Sequence, residues 1–460
     1  VYEEREPQYG IPITTEDRKT TFILREYNSK TLHQQRYEIG EQMSKKSVGF
    51  GRFLRRYIDD EVKFRKWLNL GIAFESFRRR RLPSRKARFL RIINSLAVEE
   101  IYYSLTGRET AWVNLLAPSE LLLPLGINPV SAEGVSGMLA SMHLEGFAIS
   151  SAAESGIPDS LCTFHRTSLG ASIKKLFPAP RFIMTSTILC DGNLPTFKRI
   201  SREYQVPFIL IDVPRGRMKN SVGYVHSQLK EAIELIEEIT GKPYPMNLLS
   251  DILAIERQTV ENLSRVRKEM KSSYLPQELY EYMNALYVMH TLAGDIRLKD
   301  ASEEFERDLI TDRHEQKKIL WLHIPPYYDN ELFKIFSPKS KHTVVGNELM
   351  WDWLYPVEPD RPLESLAEKL VFNPLCGGAE DRWKLCADLA DDFGADGIVH
   401  FTHWGCRQSA GSVSYLKKMF ESKGLPFLEL TGDCVDHTSE GAGQLRTRAQ
   451  AFLEILEGRR

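Results

Sequence analysis

The pattern of apolar and polar positions changes character along the chain. Early on, Phe53, Leu54, Tyr57, Val62, Trp67 and Leu68 recur at helical spacing among many charges, which predicts an N-terminal helical region over 1–110. From residue 111 onward, short apolar runs alternate with amphipathic stretches. Phe182–Leu189 reads as a buried strand, Thr196–Tyr204 as a helix and Val206–Pro214 as the next strand, ended by its proline. That order predicts parallel pairing. Residues 222–310 are helical in pattern, with Leu229, Ile233, Ile236 and Leu263 at core-like positions and Gly241-Lys242-Pro243 as a stop. A second alternating region follows. Ile319–Ile324, Thr343–Gly346, Gly397–Phe401 and Pro426–Leu430 read as strands, with helices over Glu380–Phe393 and Leu445–Leu456. The expected architecture is α/β in three parts: a helical region over 1–110, a first α/β lobe with a helical extension over 111–310, and a second α/β lobe over 311–460.

Composition narrows the function classes. The chain has 460 residues, a net charge of −1, 42% hydrophobic and 27% charged residues, an ordinary globular mixture too long for one simple core. The near-neutral balance gives no global case for binding nucleic acid or a membrane. No apolar run approaches the roughly 20 residues that span a bilayer. The charged stretch Val1–Tyr9 does not read as a secretion signal, so a cytoplasmic location is expected. One local exception stands out, the basic run Arg78-Arg79-Arg80-Arg81 with Arg85, Lys86 and Arg88. A solvated helix face is the ordinary explanation; a contact to a phosphate, such as that of CoA, or to a partner subunit is the sharper one.

Six cysteines in a chain of this length do not form a disulfide framework, and no pair has the close spacing of a zinc ribbon. Their settings are more informative. Cys190 follows the strand reading that ends at Leu189, Cys406 follows the one ending at Phe401, and Cys434 the one ending at Leu430. Cys162 lies in a loop before a helix expected near Ser168. Carboxyl ends of parallel strands are where α/β sheets build sites, and thiolates there suit soft metals or iron–sulfur clusters. Buried inert thiols are the commoner fate of a single cysteine; position alone leaves both readings open.

Several stretches, in consistent order over residues 111–460, resemble 2-hydroxyacyl-CoA dehydratases and benzoyl-CoA reductases. They are Ala117-Pro118-Ser119-Glu120-Leu121, Gly126–Val130, Cys162–Gly170, Pro178–Asp191 with its strand ending in Cys-Asp, Pro207–Pro214, His403–Arg407, and Gly432-Asp433 with Gln444–Arg448. The resemblance implies two flavodoxin-like parallel-sheet lobes holding a 4Fe-4S cluster between them. It implies Cys162, Cys190 and Cys406 as ligands, leaving one iron open. It also implies a heterodimer with a homologous cluster-carrying subunit, a separate ATP-hydrolysing iron–sulfur activator and an acyl-CoA substrate. The chain itself lacks a GxxxxGK[ST] phosphate loop. The chemistry so implied is the addition of one low-potential electron to a thioester carbonyl, leading either to loss of the 2-hydroxyl or to reduction of an aromatic acyl group.

Glu133 matches a family carboxylate suited to proton transfer. Arg166, Ser168 and His403 flank the cysteines, where they can tune a cluster through hydrogen bonds or serve the backbone; Ser168 reads first as a helix N-cap. Two departures qualify the match. Val113-Asn114-Leu115-Leu116 lacks the serine that active subunits carry before this motif, which leaves a relay subunit as an alternative. Cys376, Cys386 and Cys434 raise the total to the six that a double-cubane cluster would need, but Met350 stands where such relatives have a cysteine, and Cys386 shares a helical face with Trp383, Leu389 and Phe393.

Overall fold

In the computed structural model the described residues are 49–81, 86–105, 109–311, 316–328, 330–338, 340–439 and 441–458. The part of the expected helical region before Gly49, and Arg85 of the basic run, lie outside them. Three helices come first: α1 (Gly49–Arg55), α2 (Glu61–Arg81) and α3 (Arg88–Leu105). Phe64, Leu68 and Ile72 of α2 are buried, at the i, i+4, i+8 spacing of one helix face. They join Trp112, Ile183 and Phe197 in one apolar core.

The first lobe contains β1 (Thr110–Val113), β2 (Asn128–Ser131), α4 (Ala132–Ser141), α5 (Glu145–Glu154), α6 (Thr163–Ile173), β3 (Phe182–Ser186), α7 (Asn193–Tyr204) and β4 (Phe208–Ile211). Its four strands are parallel, in the order β2-β1-β3-β4. Four helices follow: α8 (Ser221–Thr240), α9 (Met246–Glu269), α10 (Leu279–Thr291) and α11 (Ile296–Asp308). Gly241, at φ 67°, ends α8 in the left-handed conformation. A two-residue antiparallel ladder, β5 (Ser273–Tyr274) with β6 (Ile310–Thr311), ties the ends of this segment together.

The second lobe contains β7 (Lys317–Leu322), α12 (Glu331–Ile335), β8 (His342–Asn347), α13 (Pro362–Phe372), α14 (Ala379–Phe393), β9 (Gly397–His403), α15 (Arg407–Ser422), β10 (Phe427–Gly432) and α16 (Ala442–Gly458). The sheet is again parallel, in the order β8-β7-β9-β10. Counted from the start of each lobe, both sheets read 2-1-3-4, the order of a flavodoxin-like doubly wound sheet. Strands such as β1, β3 and β9 are buried along their whole length, as parallel strands covered on both faces must be. One apolar cluster runs through both lobes and the linking helices, including Met184, Leu229, Leu286, Trp321 and Val399. Among the described residues, no helix is long and apolar enough to cross a membrane.

Two local expectations are corrected. The strand read through Leu189 stops at Ser186, because Thr187 turns its hydroxyl to Asp212 and Leu189 takes a left-handed φ of 75°. The helix expected near Ser168 begins at Thr163, so Cys162 is the N-cap. Ser168 lies inside the helix and donates to the His165 carbonyl at 3.1 Å; it is not a cap.

Candidate functional site

The topology turns three cysteines toward one region. Cys162 caps α6, Cys406 caps α15, and Cys190 sits three residues before α7. All three therefore face backbone N–H groups at helix starts, which favour a thiolate. Burial acts in the other direction and wins. It holds Cys162 well above the usual thiol range, pushes Cys190 up to about 11 and raises Cys406, while the N–H groups of Phe164, Gly192, Ser409 and Gln408 pull back toward ionisation. The thiols also act on one another across the lobes: Cys162 feels both Cys406 and Cys190, and Cys190 feels Cys406. A positive metal centre would reverse the cost of ionising them.

Each thiol has an imidazole beside it. His403 Nε2 lies 3.2 Å from Cys162 Sγ, His165 Nε2 3.3 Å from Cys190 Sγ, and His323 Nε2 3.6 Å from Cys406 Sγ. Burial keeps all three rings neutral, His165 down to about 4 and His323 furthest below the usual range. Their other nitrogens assign two tautomers. His403 Nδ1 accepts the Cys434 N–H at 3.0 Å, so Nε2 carries the hydrogen toward Cys162. His323 Nδ1 donates to the Phe401 carbonyl at 3.0 Å, so a bare Nε2 faces Cys406. Two glycines make room. A Cβ on Gly192 would stand 2.8 Å from His165 Nε2, and one on Gly405 would stand 3.0 Å from the Cys162 Cα. Across the cleft, Thr163 donates to Asp433 at 2.8 Å, joining the start of α6 to the loop after β10.

Glu133 lies in the first turn of α4, at the carboxyl end of β2. Its carboxylate accepts from Ser131 Oγ at 3.0 Å and, weakly, from the Leu115 N–H at 3.5 Å. Burial raises it to about 7. It acts electrostatically on Cys190 and on the buried Tyr287 and Tyr327. The two tyrosine hydroxyls interact with each other. Beside Leu115 and Ile188 lies a small cavity of about 30 Å³, lined also by Leu116, His290, Trp353 and Lys369. The set comprises three sulfur donors and a carboxyl group poised near neutrality. Such a set can hold a soft metal centre and move a proton next to it.

Comparison with known proteins gives the family of the chain. The profile of the family described as 2-hydroxyglutaryl-CoA dehydratase, D-component, matches residues 114–456, well over half of the chain. The chain belongs to this family. It is 22% identical over 371 residues to the (R)-phenyllactyl-CoA dehydratase alpha subunit of Clostridium sporogenes, covering 76% of this chain and 90% of that one. Against the (R)-2-hydroxyisocaproyl-CoA dehydratase alpha subunit of Clostridioides difficile it is 23% identical, covering 80% and 96%. The beta subunit of the Clostridium sporogenes enzyme is also similar, at 24% identity covering 74% and 90%.

In this dehydratase-family chain the other three cysteines are set apart by their partners. Cys434 is fully buried beside the site and feels Cys162 and Cys406, but its thiol donates to the Ile324 carbonyl at 3.2 Å. Cys386 donates to Glu348 at 3.0 Å, within the buried Glu348–Arg382 ion pair. Cys376 faces the Pro214 carbonyl at 3.6 Å. Arg166 pairs with Asp159 at 2.6 Å rather than with a sulfur. Of the basic run, Arg78 and Arg79 pair with Glu75, Arg80 with Glu99, Lys86 with Glu281 and Arg88 with Glu304. Sequence reasoning missed His323, Tyr287 and Tyr327. His323 carried a usable signal, since it directly follows β7 at a strand's carboxyl end; the tyrosines carried none.

Proposed function

We propose that the chain is the cluster-carrying subunit of an ATP-activated 2-hydroxyacyl-CoA dehydratase, with a 4Fe-4S cluster held by Cys162, Cys190 and Cys406. One observation carries the reading: three cysteines distant in sequence act on one another across two lobes, each with a histidine Nε2 within 3.2–3.6 Å of its sulfur. The residues fit the group. Their sulfurs are soft donors facing helix-start N–H groups, and the glycine contacts at 192 and 405 leave no space for a Cβ there. When bound, such a cluster supplies a low-potential electron and an iron open to a substrate oxygen.

The protein's own groups do the rest. His403 donates a hydrogen bond to the Cys162 sulfur, lowering its electron density, and the bare Nε2 of His323 faces the Cys406 thiol as an acceptor. Ser168 acts indirectly, by holding the His165 carbonyl and with it the turn that carries the Cys190 partner. Glu133, titrating near 7, accepts a proton from the substrate and returns it to the departing hydroxyl. A homologous second subunit and a separate ATP-hydrolysing activator complete the assembly; the similarity to both alpha and beta subunits supports this division.

The test is anaerobic purification with iron and sulfide analysis, then assay with activator, ATP and a panel of 2-hydroxyacyl-CoA thioesters. About four irons per chain are expected for one cubane. Cys190→Ala should lose the iron while keeping its circular dichroism spectrum. Undiminished iron in that variant refutes the ligand assignment, and consumption of reductant in step with product would indicate a ring reductase instead.

A further inference from the structure

A second group of ligand-type side chains lies away from the three cysteines. Glu145, in the first turn of α5, comes from the first lobe; Asp436 and His437, beyond β10, come from the second. One ligand atom from each lies within 4.8 Å of the others. Glu145 is fully buried and His437 nearly so, while Asp436 is half-buried and opens toward solvent. Glu145 Oε1 pairs with His437 Nδ1, and Asp436 keeps its own hydrogen bonds from Thr438 and Ser439.

A plain ion pair does not account for the whole cluster. Glu145 Oε2, with no exposure, has no hydrogen-bond partner among the described residues. Nor does Nε2 of His143, a ring 3% exposed that stands 4.2 Å from the His437 ring. Buried polar atoms in native proteins are nearly always satisfied, and those that are not point to a missing ion, water or ligand.

We propose that Glu145, Asp436 and His437 bind one divalent transition-metal ion of the zinc type, bridging the two lobes. The donor chemistry selects the ion. Mixed imidazole and carboxylate ligands suit zinc, whereas calcium and magnesium favour all-oxygen sites. Two carboxylates balance the dication's charge, and the ion replaces the proton shared by Glu145 and His437. Three protein ligands would leave a fourth position to water on the half-buried Asp436 side. Such an ion clamps α5 to the loop that also carries Asp433 and Cys434.

The experiment uses the anaerobic, iron-loaded protein, stripped of loosely bound metal and titrated with Zn²⁺. About one zinc per chain should bind, shown by competition with a chromophoric chelator, and it should raise the melting temperature. Glu145→Gln should abolish both effects. Asp436→Asn, at a half-buried position, should weaken binding at least tenfold, and it serves should the first variant fail to fold. Zinc binding retained in Cys190→Ala separates this site from the cysteine centre. If Zn²⁺ leaves the melting temperature of the wild type unchanged, or binds Asp436→Asn as tightly, the cluster is an ion pair and the proposal falls.

Discussion

The two lobes share a strand order, and each carries a buried glutamate just past the carboxyl end of its second strand, yet the two carboxyl groups behave oppositely. Glu133, beyond β2, has a serine hydroxyl for company and is raised by burial to about 7. Glu348, beyond β8, has no exposure at all, but the guanidinium of Arg382 holds it at about 2. It also accepts from the His323 N–H at 2.7 Å and from the Cys386 thiol. One scaffold position thus serves two purposes. In the first lobe the proton is left mobile, as acid–base chemistry requires. In the second lobe the charge is locked in place and supports the backbone of the histidine beside Cys406. Position at a strand end locates a site, and the neighbouring charges decide what the site does.

Removing each carboxylate sharpens this contrast. Glu133→Gln should lower kcat by about 10²–10⁴-fold, the range for loss of a general base, with the iron content unchanged. The wild-type rate should rise with pH through a midpoint near 7, and that limb should vanish in the variant. The sign of the stability effect is also fixed. A carboxyl group raised from 4.5 to about 7 binds its proton more tightly when folded, so stability falls as pH rises through that window. Chemical denaturation of Glu133→Gln should show a flatter pH dependence there. An unaltered rate would break the comparison outright.

Glu348→Gln should act on the fold first. It strands a buried guanidinium, and breaking a buried pair of this kind costs about 3–5 kcal/mol. Adding Arg382→Met should restore much of that loss. Here the carboxyl group is depressed, from 4.5 to about 2. Its contribution is therefore complete above about 4.5 and disappears as pH falls toward 2. Urea midpoints of wild type and Glu348→Gln should accordingly converge in acid. A loss of only a few tenths of a kcal/mol would mean that the two glutamates are alike after all.

How much of this was legible in the sequence follows from locality. The strands of the second lobe and the cysteines at their ends were readable, because parallel strands buried on both faces leave continuous apolar runs such as Ile319–Leu322. β1 and β2 have only four residues each, and Pro129 sits inside β2, so no run was long enough to register; only the family resemblance marked the neighbourhood. The imidazole beside Cys162 could be named because His403 lies three residues from Cys406 in the same motif. The tyrosines reach Glu133 from a linking helix and from the loop after β7, contacts that no local pattern encodes. Ser168 misled because a serine beside a helical run resembles a cap, whereas the helix starts five residues earlier.

The finest contrast between the lobes concerns the residue just before each strand-end cysteine. Both are left-handed, Leu189 at φ 75° before Cys190 and Gly405 at φ 79° before Cys406. A side chain in this region costs roughly 1–2 kcal/mol. The first lobe tolerates that strain because Leu189 packs partly against the core. The second lobe has no such freedom, since a Cβ at 405 would lie 3.0 Å from the Cα and 3.2 Å from the N of Cys162. Gly405→Ala should therefore cost about 1–2 kcal/mol in backbone strain and, by pushing Cys162 away, reduce iron content as well. Leu189→Gly relieves strain but gives up apolar burial, so it should change the urea midpoint little and leave iron intact. If the two substitutions lowered iron content equally, the close approach of Gly405 to Cys162 would not be what joins the two halves of the site.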